Sequence, residues 1–347
     1  MLDYFKDDLN LIFDHTSNYW KRLENKTIFI TGGTGFFGIW LVMSFVFINR
    51  KLNLNSKIIL LTRSKSKVLT KYEWLNEYSE INFIEGDIVD FDFVSEDVHY
   101  IIHAATEASV KLNIEEPLAM FQTVVNGTKR ILDFAKIKKV ESFLYTSSGA
   151  VYGVQPGVRD NISEDYCGAP NPSDETSVYG EGKRMAEVLC AIYHKHYGIP
   201  VKVARCYAFI GPFLPLDSHF AAGNFIRNKI NGEDIIINSD GSSVRSYMYS
   251  ADLVIWLWTI LFRGGNNRPY NVGSDKAITI SQLAELISQN SKIKETKVII
   301  NSSNSANCGS RYVPNTNRAK SELNLWVYTD VENAVNKTIK FNSIFKE

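Results

Sequence analysis

Thr31-Gly32-Gly33-Thr34-Gly35-Phe36-Phe37-Gly38 follows the apolar run Thr27–Thr31 and precedes the apolar stretch Ile39–Ile48. A short buried strand, a glycine turn and a helix, in that order, open a strand–helix–strand unit. Glycines at 32, 35 and 38 allow a tight turn, close approach of backbone to a pyrophosphate, and close packing of helix on strand. The N-terminus of the helix then faces the phosphates, with Thr34, Phe36 and Phe37 completing the turn. A merely flexible turn is the alternative, and the position between strand and helix argues against it.

Outward from this turn the pattern repeats. Lys57–Thr62, Ile81–Ile84, Tyr100–His103 and Ser142–Thr146 are further short apolar runs, separated mostly by helical segments, notably around 119–138 and 178–197. Such alternation predicts a parallel sheet covered on both faces. Beyond about residue 205 the regularity fades. Val201–Arg205 and Ser246–Tyr249 still read as strands and Ala251–Phe262 as a helix, among Gly/Pro/Asn-rich stretches at 211–218, 264–275 and 301–317. The expected fold is therefore α/β, a Rossmann-type doubly wound parallel sheet with a smaller mixed α/β substrate-binding lobe towards the C-terminus. Residues 25–205 and about 237–275 are assigned to the sheet domain, and 206–236 with 276–347 to the lobe. Phe5, Leu9, Ile12, Phe13, Trp20 and Leu23 recur at helical spacing, so residues 1–24 are expected to dock as an amphipathic helix.

The bulk properties narrow the class. Of the 347 residues 45% are hydrophobic and 22% charged, with formal net charge +0, which suits a globular enzyme rather than a nucleic-acid or anionic-membrane binder. No apolar run approaches the roughly 18–20 residues that span a bilayer. The opening MLDYFKDDLN is acidic where a secretory signal would be basic, so a cytoplasmic location is expected. Cys167, Cys190, Cys206 and Cys308 show no metal-ligand spacing and read as reduced, structural thiols; no metal is expected.

Tyr179-Gly180-Glu181-Gly182-Lys183 places a phenol and an ammonium on one helical face. A neighbouring Lys⁺ favours phenolate over phenol, which suits Tyr179 to acid–base chemistry. Alone the pattern is weak, and a Tyr–Lys pair on an ordinary amphipathic helix is commoner. Downstream of the glycine turn and of the serine-rich strand end at 146–148, it gains weight. At the end of the second strand the chain has Thr62-Arg63-Ser64-Lys65 and no carboxylate. Arg63, assisted by Ser64 and Lys65, points to the 2′-phosphate of NADP, with NAD still open; a solvated loop cation is the other reading. Asp87 and Ile88 are placed to touch adenine, although a plain turn explains Gly86-Asp87-Ile88 nearly as well.

Taken together these residues resemble the extended short-chain dehydrogenase/reductase family of nucleotide-sugar epimerases, dehydratases and reductases. The likeness runs from about 25 to 340 and includes TGGTGFFG (31–38), GDIVD (86–90), IIHAAT (101–106), NGT (126–128), TSSGAVYG (146–153), YGEGK (179–183) and RCYAFIGP (205–212). DGSSVRSYMYSADL (240–253), YNVGS (270–274) and RYVPNTNRAKSELN (311–324) continue it. The resemblance implies a nicotinamide cofactor contacted also by Ala104, Ala105 and Thr106, a nucleoside-diphosphate sugar as substrate, and a homodimer built on the helices near 119–138 and 178–197. It implies Tyr179 as the general acid/base, Lys183 on the nicotinamide ribose, and Ser148 sharing the sugar oxygen. Asn126 resembles the family's buried active-site asparagine, and Arg245 the arginine that grips the diphosphate, unless it is a surface cation. His219 matches, with a one-residue insertion, a segment of GDP-fucose synthase that bears a catalytic histidine; proton donor, substrate hydrogen-bonder and loop histidine all stay open.

Two departures shape the expected reaction. Dehydratases of the family carry Asp-Glu directly after the Ser/Thr, and UDP-glucuronate decarboxylases keep a Glu there, whereas this chain has Gly149 and Ala150. That favours a 4-epimerase or 4-ketoreductase, as used for surface-polysaccharide sugars, over a 4,6-dehydratase with non-standard acid and base. Where many members carry an asparagine after the Arg-Cys strand, the chain has Ala208-Phe209, so Asn224 or His219 is expected to supply that substrate contact. A non-catalytic nucleotide-sensing relative and a dehydrogenase of small alcohols are the competing classes.

Overall fold

Thr27–Thr31 (β1) lies inside a seven-stranded sheet, with four of its five residues buried. The other strands are Lys57–Thr62 (β2), Ile81–Glu85 (β3), Tyr100–His103 (β4), Ser142–Ser148 (β5), Val201–Cys206 (β6) and Pro269–Val272 (β7), in the order β7-β6-β5-β4-β1-β2-β3. β1 runs parallel to both β2 and β4, pairing Thr31 with Leu61 and with His103, so their C-terminal ends are level. The strand order reverses direction at β1, and ligands of open α/β sheets sit outside the carboxyl ends of strands at such a point. The structure, a computed structural model, describes residues 1–105, 110–155, 161–217, 220–290, 294–301 and 309–345.

By contacts the chain divides into two units. The first comprises Met1–Val151, Pro170–Arg205 and Val254–Tyr270; the second comprises Tyr152–Ala169, Cys206–Leu253 and Asn271–Glu347. The 237–275 stretch thus contributes Val254–Tyr270 to the first unit, while Tyr152–Ala169, which carries no strand or helix period, falls in the second.

In the first unit one sheet face carries Phe29, Ile101, Phe143, Tyr145, Val201 and Val203. The helices Gly127–Lys138 (α3) and Val178–Tyr197 (α4) cover it with Ile131, Phe134, Ala186 and Cys190. Alternate residues such as Ile28, Ile30, Ile58 and Leu60 are equally buried on the other face, as a doubly covered parallel sheet requires. The N-terminal extension forms a helix, Lys6–Thr16 (α1), followed by a 3₁₀ turn, Ser17–Leu23. It packs on Phe36–Leu52 (α2) and on Ser250–Arg263 (α5). Trp20 lies 4.8 Å from Trp258, Phe5 lies 4.9 Å from Trp40, and Arg22 donates to the Phe262 carbonyl. The Trp258 indole in turn donates to Ser44 Oγ on α2.

Two expectations need correction. The segment around 119–138 is not one helix: a short helix, Pro117–Phe121, passes through a π turn, Gln122–Asn126, into α3. The Ser246–Tyr249 strand is instead two strands of two residues. Val244–Arg245 pairs with Ile278–Thr279 and Arg311–Tyr312, whereas Met248–Tyr249 pairs with Phe209–Ile210. The chain changes sheets at Ser246-Tyr247, and a run of strand-like residues cannot reveal a change of partner. Among the described residues no helix is long and apolar enough to cross a membrane.

Candidate active site

Gly32 holds φ +69°, a left-handed conformation that side chains rarely adopt. A Cβ there would also lie 2.5 Å from the Ala104 carbonyl oxygen, so the turn presses directly on the end of β4. Gly38 faces back on the same turn, and a Cβ on it would overlap the Gly32 carbonyl oxygen and the Gly33 backbone. Gly35 caps α2 with φ −82° and is exposed, leaving open the approach to the first N–H groups of the helix. A phosphate fits such an approach, since the N–H groups and the helix dipole both favour an anion. Thr34, Phe36 and Phe37 are all partly exposed around it.

A buried polar chain braces this turn. The Ala105 N–H donates to Thr31 Oγ1, which lies 2.7 Å from His103 Nδ1. His103 Nε2 lies 3.0 Å from Thr128 Oγ1, and that hydroxyl donates to the Val124 carbonyl. The donors fix the tautomer: Thr128 gives its proton to Val124 and so accepts from Nε2–H, leaving Nδ1 to accept from Thr31. Burial first, and the Lys183 charge second, push the His103 imidazole down to about 3, so it stays neutral at physiological pH. The chain joins the ends of β1 and β4 to the π turn.

At the end of β5 the Thr146 carbonyl accepts from Lys183 Nζ at 2.8 Å. Lys183 is only 2% exposed and its ammonium lies 5.9 Å from the Tyr179 ring centroid, one turn earlier on α4. Tyr179 packs against the core edge, and its backbone N–H donates to Asn113 Oδ1 at 3.1 Å. Asn113 Nδ2 donates in turn to the Thr176 carbonyl, so a side chain from another helix caps α4 where Tyr179 stands. Ser148 is buried, and its Oγ accepts from the Ala150 N–H. Gly149 and Ala150 form a 3₁₀ turn beside it and bring no titratable group. The carboxyl ends of β1 and β5 thus carry the glycine turn and Ser148, and α4 brings Lys183, one turn after Tyr179, onto the end of β5.

Other expected residues fare differently. Asn126 is exposed; Val124 and Val125 are the buried residues of the π turn, which corrects the reading of Asn126 as a buried active-site asparagine. Ile88 is buried, packed against Gly127 at the edge of the core. Asp87 Oδ1 accepts from the Val89 N–H and shapes its own turn. Ser64 caps the short helix Lys65–Lys71 by accepting from the Lys67 N–H, and Arg63 is exposed beside it. Thr106, His219 and Cys308 lie outside the described residues. In the second unit Asn224 is partly exposed on the helix Ala221–Asn231, and Arg245 donates to the Ser310 carbonyl and to Ser310 Oγ.

Sequence reading missed several groups. Glu85, which ends β3 opposite Thr62 of β2, accepts from the Lys65 N–H at 2.7 Å. It places a carboxylate at the end of β3, level with the end of β2, which has none. Arg311 lies on the strand beside Arg245, donates to Asn161 Oδ1, and keeps a buried Nε with no partner among the described residues. Its motif was visible as RYVP, but an arginine in a short strand carries no period that marks it as a ligand group.

Residues 28–273 match the NAD dependent epimerase/dehydratase family. The chain belongs to that family. UDP-glucuronic acid decarboxylase 6 of Arabidopsis thaliana is 32% identical over 270 residues, covering 77% of this chain and 74% of that one. The UDP-N-acetylglucosamine 4-epimerase of Methanobrevibacter ruminantium, solved with UDP-N-acetylmuramic acid, superposes with TM-score 0.79 at 22% identity, covering 92% of this chain and 98% of that one. The UDP-glucuronic acid 4-epimerase of Bacillus cereus, solved with NAD, gives TM-score 0.78 at 20% identity over 92% and 97% of the two chains. At such identities the solved structures establish the fold, and the family match establishes membership. The seven-stranded sheet is thus that of the NAD-dependent epimerase/dehydratase family.

Proposed function

We propose that this family member moves hydride at C4 of a UDP-linked sugar, as a 4-epimerase or 4-ketoreductase. The observation that carries the reading is Lys183 held on the Thr146 carbonyl, one turn from Tyr179 and beside Ser148, with Gly149 and Ala150 next in the chain. Bound at the glycine turn, the nicotinamide dinucleotide supplies the hydride acceptor and donor. Tyr179 takes the proton of the C4 hydroxyl and returns it, Ser148 holds the same oxygen, and the Lys183 charge favours the phenolate. Arg245 and Arg311 suit a diphosphate, since the guanidinium pairs with phosphate oxygens through two parallel N–H groups. UDP is supported by relatives named for UDP-glucuronic acid.

Incubation with NAD⁺ and UDP-glucuronate, UDP-glucose or UDP-N-acetylglucosamine, followed by NMR of the sugar, should show the C4 epimer, or a separately supplied UDP-4-ketosugar should be reduced in the presence of NADH or NADPH. Neither product from any of them would overturn the reading. Oxidative decarboxylation is a second reading, favoured by the sequence relatives. Once C4 is a ketone, the C6 carboxylate of a uronic acid is β to it, and CO₂ can leave without Glu at 149 or 150. A UDP-pentose product identifies that course.

For the dinucleotide, Arg63 would attract a 2′-phosphate, whereas Glu85 would repel it and suits a ribose hydroxyl. We infer NAD as the working cofactor with NADP tolerated through Arg63. Arg63→Ala should weaken NADP⁺ binding about tenfold while NAD⁺ stays within about twofold. Glu85→Gln should bring the two affinities together. Equal effects of both substitutions on NAD⁺ and NADP⁺ would remove the argument. Met185, Val188 and Ile192 are exposed at helical spacing on α4 and support the homodimer; sedimentation that finds only monomer would sink it.

A further inference from the structure

We propose that Glu187 is a positioning residue for the proton-transfer pair, fixing α4 against the end of β5 so that Tyr179 and Lys183 stand correctly before Ser148; this rests on the catalytic reading above. Tyr179, Lys183 and Glu187 follow one another at four-residue steps on α4, so they share a face. Thr146, Ser147 and Ser148 are consecutive at the end of β5. The two series are joined rung by rung. Lys183 Nζ donates to the Thr146 carbonyl at 2.8 Å, and one turn on, Ser147 Oγ donates to Glu187 Oε1 at 2.5 Å.

Glu187 is itself held from a third element. Arg205, in the neighbouring strand β6, donates its Nε to Oε1 at 3.0 Å and its terminal nitrogen to Oε2 at 2.7 Å. Both side chains are 15% exposed, so this fork is largely shielded from water and its geometry is stiff. Three elements therefore meet at one carboxylate, in the residues directly next to those proposed to move the proton. Arg205 has a second effect. Glu187 stands one turn from Lys183 on the same helical face, and the guanidinium fork keeps its carboxylate from drawing the ammonium off the Thr146 carbonyl.

A purely structural ion pair makes a different prediction. Exchanging a shielded pair for apolar side chains of similar size is often neutral or stabilising. The double variant Glu187→Met with Arg205→Met should therefore regain wild-type thermal stability under either view. If the pair positions the catalytic groups, kcat stays down at least about tenfold, because displacements near 1 Å cost rate steeply. Ser147→Ala is the milder probe: it cuts the link to β5 and leaves the ion pair. Its kcat should fall about tenfold with KM for the UDP-sugar within about twofold.

A substrate-free measurement separates failure of this proposal from failure of the catalytic reading. The phenolate absorbance of the protein minus that of Tyr179→Phe reports the ionisation of Tyr179 alone. In Ser147→Ala and in the double Met variant its midpoint should move to higher pH, because Lys183 no longer sits where it favours phenolate. Turnover of no UDP-sugar by the wild type would sink the catalytic reading, while this titration would still decide the placement of Tyr179. An unmoved midpoint in Ser147→Ala, or a double Met variant that recovers the midpoint along with its stability, would overturn the positioning role.

Discussion

Tyr179→Phe is expected to lower kcat about 10²–10⁴-fold, the usual range for removing a positioned acid–base group. The variant should remain folded, because the ring that packs against the core edge is kept and only the hydroxyl is lost. Its backbone anchor is untouched: the N–H of residue 179 still donates to Asn113, and Lys183 still donates to the Thr146 carbonyl. Binding of NADH, followed by its fluorescence, should therefore change by less than about twofold. The loss should fall on kcat, with KM for the UDP-sugar little altered, since the phenol acts on a proton whose transfer is confined to the transition state. Turnover equal to the wild type would move the chain to the non-catalytic or differently catalysed readings, whatever its fold.

How much of this could be read from the chain follows a physical line. Much that is written in local period was legible: β1, the glycine turn, α2 and α4 came within a few residues of their observed limits, and Tyr179 with Lys183 is a single-helix pattern. What escaped is what the fold brings together from distant positions. Glu85 of β3 binds the Lys65 N–H beyond the end of β2, Asn113 caps a helix that begins more than sixty residues later, and His103 links Thr31 to Thr128. None of these has a spacing that a single sequence displays. Asn126 failed for a subtler reason: the π turn adds a residue to the helical path, and the side chains facing the core become Val124 and Val125. A motif matched letter by letter does not register such a shift in phase.

The glycine turn separates fold from ligand binding, and two alanine substitutions should show it. Gly38→Ala places a methyl group against the Gly32 carbonyl and the Gly33 backbone, and Gly32 itself abuts the Ala104 backbone at the end of β4. Nothing flexible is available to yield, so α2 must move off the sheet. A loss of about 3 kcal/mol is expected from such overpacking, read as a lower urea midpoint with unchanged slope. NADH affinity should fall at least about tenfold with it, because the helix N-terminus no longer meets the phosphates at the same distance. Gly35→Ala differs in kind. Its φ of −82° suits any residue, and the new methyl would meet only the Gly32 carbonyl oxygen, at an ordinary 3.5 Å. Stability should stay within about 0.5 kcal/mol, as for a surface substitution. The methyl group nevertheless stands where the pyrophosphate must approach, so NADH binding should weaken about tenfold on its own. If Gly35→Ala binds NADH like the wild type, the phosphates do not pass over Gly35, and the dinucleotide must lie elsewhere on the carboxyl ends of the strands.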